Sequence, residues 1–125
     1  LLIPCEIAVK SVIPAIKATI AKELVETYGL TQNQAAEILG ISQSAVSKYT
    51  RKIRGYVIKI DNLKEIQPLI ENMINQIVNG NMDRTEFLKN FCQTCTLIRK
   101  EKLMCPFCQK TDPKIIAEQC NFCQT

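Results

Sequence analysis

Residues 29–49 read Gly-Leu-Thr-Gln-Asn-Gln-Ala-Ala-Glu-Ile-Leu-Gly-Ile-Ser-Gln-Ser-Ala-Val-Ser-Lys-Tyr, and the expected fold is set by how this stretch punctuates itself. Thr31 and Gln34 have capping-box spacing: the hydroxyl accepts from an early backbone N–H while the glutamine side chain reaches back to the cap. The helix they open stops at Gly40, a residue that takes positive φ at little cost. Ile41 leads into Ser42, an N-cap residue. A second helix is expected from Gln43 to about Ile53, with Gly55 ending it. Two helices joined so tightly need a small residue where they cross, and Ala36 supplies it. They also need apolar positions that fix both on a support. Ala35, Leu39, Ile41, Val46 and Tyr49 have that spacing.

This is the pattern of a helix-turn-helix, and its outer face follows from its inner one. Gln43, Ser44, Ser47 and Lys48 point away from Val46 and Tyr49. The N-terminal residues of such a second helix enter the major groove first. Ser42 heads that helix, and Gln43 and Ser44 are the leading candidates to meet base edges. A glutamine can pair with adenine through two hydrogen bonds, a serine is permissive, and a lysine suits guanine or phosphate. Thr31 and Gln32, at the opening of the first helix, are placed to hold a phosphate at a helix N-terminus. Arg51, Lys52 and Arg54 crowd the end of the second helix and suit the sugar-phosphate backbone. Double-stranded DNA is the expected partner.

Charge agrees with that placement. The net charge of +4 is unevenly spread. Residues 1–60 carry eight Lys/Arg against four Asp/Glu, whereas residues 61–125 carry eight of each. The excess that attracts phosphate thus sits in the first half.

Outward from the motif, the chain reads as mainly α. Pro4 to Val12 suits a short helix. Ile13, Ile16, Ile20, Leu24 and Tyr28 recur at helical spacing and predict a longer one ending at Gly29. Tyr56–Ile60 is β-rich and suits a short strand or wing. Leu63, Ile66, Ile70, Met73 and Ile77 form a heptad-like stripe. That stripe either lies on the chain's own core or pairs two chains, and Pro68 either starts its helix or kinks it. Asp83 with Glu86 caps a further helix through Phe87, Leu88 and Phe91 into Cys92, and after Cys95 the sequence reads as irregular. The expected organisation is a helix-turn-helix domain over 1–60, a linking or dimerisation helix over 61–82 and a cysteine-rich metal-binding region over 83–125.

That last region carries the second chemical signal. Six of seven cysteines fall into three Cys-x-x-Cys pairs: Cys92/Cys95, Cys105/Cys108 and Cys120/Cys123. Two such pairs supply the four thiolates of a tetrahedral metal site or of an iron–sulfur cluster. The chain has no histidine, which leaves pure sulfur ligation. Apolar neighbours (Leu97, Leu103, Met104, Phe107 and Phe122) suit a shielded iron–sulfur cluster, and no glycine follows the pairs as in zinc knuckles. The reading therefore favours iron–sulfur over the alternative, Zn2+. Cys5, alone near the start, is expected to be a buried small hydrophobe.

Residues 29–49 resemble the Cro/repressor-like helix-turn-helix family. The lead-in Pro4-Cys-Glu-Ile-Ala-Val, with Val12-Ile-Pro-Ala-Ile-Lys and Ala21-Lys-Glu-Leu, resembles archaeal predicted transcriptional regulators with this head. That resemblance is close over about residues 3–56, and the short members end in a cysteine-rich tail. The resemblance implies a homodimeric regulator on paired half-sites about one helical turn apart. The expected function is DNA-binding transcription regulation with a cysteine-ligated metal centre that senses redox or metal status. The alternative is an adaptor whose zinc tail is structural and recruits a protein. An enzyme is not expected: a His-assisted nucleophile has no histidine to draw on, and no strand–helix junction surrounds a Cys-x-x-Cys. No small-molecule substrate is evident, and no apolar run reads as a membrane span. With no leader of secretory pattern at the start, the expected compartment is the cytoplasm.

Overall fold

A computed structural model describes residues 2–50, 58, 60, 63–115 and 120–124. Seven helices follow in order: α1 (Pro4–Lys10), α2 (Val12–Glu26), α3 (Gln32–Leu39), α4 (Gln43–Thr50), α5 (Gln67–Val78), α6 (Arg84–Lys100) and α7 (Cys105–Thr111), with a 3-10 turn at Phe122–Gln124. No strand occurs among the described residues, and the class is mainly α as expected. Of the anticipated wing, Tyr56, Val57 and Lys59 lie outside the described residues, while Ile58 and Ile60 are buried in the core.

The break between α1 and α2 is made by Ser11. Its backbone leaves helical geometry at φ −130°, and its buried hydroxyl donates to the Ile7 carbonyl at 2.7 Å. α2 then presents Val12, Ala15, Ile16, Ile20 and Leu24 to the core. The expected stripe misses at both ends: Ile13 is only half-buried, with Val12 in the core position instead, and Tyr28 falls beyond the end of α2 and is 42% exposed. Gly29, at φ 71°, lets the chain turn back, and the Leu30 N–H bonds to the Leu24 carbonyl at 3.0 Å.

The heptad-like stripe faces the chain's own core. α5 starts at Gln67 with Pro68 in its first turn, where a missing N–H costs nothing. Ile66, Ile70, Met73 and Ile74 are buried, and Leu63 and Ile77 pack beside them. α5 lies mainly on α6, and both touch α2.

α6 is longer than the sequence suggested. Asp83 caps it, accepting from the Thr85 N–H at 3.0 Å, and it runs through Cys92 and Cys95 to Lys100. The irregular reading after Cys95 is thus corrected. Ile98 is buried on this extension and Thr94 just before it, and packing carries the helix on where polar residues around the cysteines had obscured its period. One continuous cluster of buried residues runs from Ile7 to Cys108, so helix-turn-helix and cysteine region share a core.

Candidate nucleic-acid interface and thiol cluster

Each joint of the helix-turn-helix has an identifiable cause. At the start of α3, the Gln34 N–H donates to Thr31 Oγ1 at 3.1 Å and the Thr31 N–H to Gln34 Oε1 at 2.9 Å. Both halves of the capping box are therefore made. At its end Gly40 sits at φ 67°, ψ 36°, and the Ile41 N–H reaches back to the Ala36 carbonyl at 3.0 Å. Ser42 Oγ caps α4 by accepting from the Ala45 N–H at 3.1 Å. Ala35, Ala36 and Val46 are buried where α3, α4 and α2 meet, with Leu39 at their edge and Ile41 and Tyr49 packed alongside.

With the inner face fixed, Gln32, Gln43, Ser44, Ser47 and Lys48 line one shallow, open depression of about 410 Å³. Gln43 and Ser44 are exposed on it, while Gln32, Ser47 and Lys48 are half-buried along its side. The capping hydroxyls of Thr31 and Ser42 accept from backbone, which leaves the proton of each able to donate outward. Arg51, Lys52 and Arg54 lie outside the described residues.

The cysteines divide into two groups. All seven are free thiols. Cys105 and Cys108 on α7 and Cys120 and Cys123 from the terminal segment line a single pocket of about 30 Å³, closed by Met104, Ile115 and Pro4 of α1. The apolar wall raises the cost of charge there. Burial pushes the Cys105 and Cys108 thiols above the ordinary range, and the neighbouring Cys120 and Cys123 add to the rise. Among the described residues no three of these groups stand close enough to grip an ion as they are.

Cys92 and Cys95 lie away from that pocket on α6. Burial raises the Cys95 thiol, against the opposing pull of Arg99 one turn along the helix. Cys5 is exposed, which corrects the expectation that it is buried: on α1 it is Ile7 and Ala8 that face inward. Its thiol meets Arg99 instead, with Nη1 3.9 Å from Cys5 Sγ, while Arg99 Nε donates to Cys123 Sγ at 3.4 Å. Sequence reading passed over Arg99. The signal was its spacing, four residues after Cys95 and hence on the same face if the helix continues.

A separate open hollow of about 440 Å³ lies between α2 and α5, with Glu23 and Glu71 among its lining residues. No cysteine reaches it.

Residues 22–66 match the helix-turn-helix family. The match takes in the last turn of α2, both motif helices and the segment leading into α5, and it supports a DNA-binding transcriptional regulator. No curated protein and no solved structure matches the chain. Among the described residues no helix is long and apolar enough to cross a membrane.

Proposed function

We propose that this chain is a sequence-reading transcriptional regulator whose cysteine-rich region holds a metal centre that reports metal or redox status. The DNA-reading half rests on the shared depression of Gln32, Gln43, Ser44, Ser47 and Lys48. In this reading the N-terminus of α4 enters the major groove with Gln43 foremost. Thr31, Ser42 and the basic residues Arg51, Lys52 and Arg54 hold phosphates and set the register. A homodimer places two such heads on paired half-sites. Val78, Met82 and Leu88, exposed about the α5–α6 turn, offer apolar surface for the pairing.

The observation that carries the metal half is the convergence of Cys105, Cys108, Cys120 and Cys123 on one pocket. Four sulfurs from two Cys-x-x-Cys pairs are the donor set of a tetrahedral ion. Zn2+ is the occupant to test first, since a closed four-thiolate set needs no further ligand for it; the same donors suit the iron–sulfur cluster that the sequence favoured. Cys92 and Cys95 do not line this pocket. When bound, the ion would supply cross-linking of α7 to the terminal segment and a fixed negative charge from the excess of thiolates. The chain's own part is to exclude water with Met104, Ile115 and Pro4.

Metal analysis and the visible spectrum of anaerobically purified protein test this half. A colourless protein with one zinc per chain, lost in Cys108→Ser and kept in Cys92→Ser, is the expected result. A brown protein carrying iron and labile sulfide would establish the cluster instead, and a chain with neither would remove the metal centre from the reading.

A further inference from the structure

The four-thiol pocket and the DNA-binding head share a buried core and, through Pro4, a pocket wall, and one charged side chain, Arg99, also bridges them. Arg99 lies on α6, where it also pairs with Cys95 one turn back, and it reaches two sulfurs from distant segments: Cys123 of the pocket through Nε and Cys5 of α1 through Nη1. Its guanidinium carbon also lies 5.8 Å from the centroid of the Phe122 ring, which holds the fork beside the terminal segment. Cys5 adjoins Pro4, itself part of the pocket wall. From there the path is continuous, because α1 packs on α2 and α2 packs on α4.

We propose that Arg99 is a positioning residue that couples occupancy of the four-thiol pocket to the seating of α1 against the DNA-binding head. The inference rests on the metal reading above and adds the route by which that site regulates the head. A thiol is a weak hydrogen-bond acceptor. A sulfur that holds a metal ion is a thiolate, and a charge-assisted hydrogen bond is roughly twice as strong as a neutral one. Filling the pocket therefore strengthens the bond from Arg99 to Cys123, already the shorter of the two. The guanidinium is drawn toward the terminal segment and its hold on Cys5 slackens. α1 then loses its bond to Arg99 of α6 while Pro4 stays on the pocket wall, and the change in its seating passes through α2 to α4. The planar fork is what permits this, since its separate N–H arms reach two sulfurs at once and a lysine ammonium offers a single point charge.

The test uses the full chain, Zn2+ as the probe ion and a duplex recovered by the chain itself from a random-sequence pool. Zinc stoichiometry, duplex affinity with and without zinc, and hydrogen exchange of the α1 amides are measured for wild type, Arg99→Lys and Cys5→Ala. Wild type is expected to bind one zinc, to change duplex affinity by about fivefold or more on loading, the lower end of ordinary coupling, and to exchange α1 amides faster when loaded. Arg99→Lys and Cys5→Ala are expected to keep the zinc stoichiometry while the affinity change falls below about twofold, well short of that range, and the exchange difference disappears. Because Cys5 is exposed, its replacement leaves the core intact. Coupling that persists in either variant, or zinc binding in wild type with no change in α1, would overturn the role of Arg99 while leaving the metal site standing. Failure of wild type to bind zinc would overturn the site and the coupling together.

Discussion

At the scale of the residue, the account turns on a few side chains with separable physics. Gly40 holds the turn at φ 67°, and a Cβ added there meets nothing within 4 Å. Gly40→Ala should therefore cost only left-handed backbone strain, about 1–2 kcal/mol, read as a lower midpoint in chemical denaturation. A larger loss would mean that the turn is packed more tightly than described. The pocket thiols make a prediction about acidity. Cys105 and Cys108 are raised above the ordinary thiol range, so both are protonated at neutral pH and must release their protons when an ion binds. Metal affinity should then rise with pH, on the order of tenfold or more per unit below the thiol range. A chelator competition series between about pH 6 and 8 checks the sign, and an affinity that is flat with pH would count against thiolate ligation there. The residues that packing, capping and the turn fix were legible from their spacing, namely Ala35 and Val46, Thr31 with Gln34, and Gly40. Cys5 was not. A cysteine's burial depends on which face of a short helix meets the core, and α1 offers too few turns to reveal a period.

At the scale of the element, capping was the most readable feature and helix length the least. Thr31, Ser42 and Asp83 each cap the helix that the sequence assigned to them. The far end of α6 was hidden because Gln93, Thr94 and Thr96 stand between its cysteines and apolar residues, and only packing of Ile98 against the core carries the helix on to Lys100. The stripe on α5 showed its period plainly but not its partner, since a buried face looks alike whether its own chain or another covers it. Between these helices lies a local cost. Both amide atoms of Gln76 and the Asn90 Nδ2 are buried with no hydrogen-bond partner among the described residues. Gln76→Met, close in volume, should stabilise the chain by about 1–2 kcal/mol by removing an unpaired polar group. Destabilisation in a thermal melt would show that Gln76 has a partner in solution, and a second copy of the chain would then be the first to examine.

At the scale of the whole molecule, head and cysteine region form one body, because a single buried cluster runs through both. Ile98, fully buried, belongs to α6, yet that helix packs on α2 of the head. Ile98→Ala should therefore cost about 2–4 kcal/mol and lower the melting of head and tail together. Two separate transitions would mean that the halves fold independently. This joint core was beyond the sequence, where composition marked a cysteine-rich tail as a unit of its own. Only the three-dimensional arrangement puts Pro4 on the wall of a pocket built by residues more than a hundred positions away.

If α4 reads DNA with Gln43 at its tip, binding to a selected duplex and to a scrambled one at fixed salt must differ. Wild type should prefer the selected duplex by about a thousandfold or more. Gln43→Ala should remove about 1–3 kcal/mol of that preference while leaving scrambled-duplex binding unchanged. Arg51→Ala, by contrast, should weaken both and reduce the salt slope by about one. Equal binding of the two duplexes by wild type, or an unchanged preference in Gln43→Ala, would contradict the account.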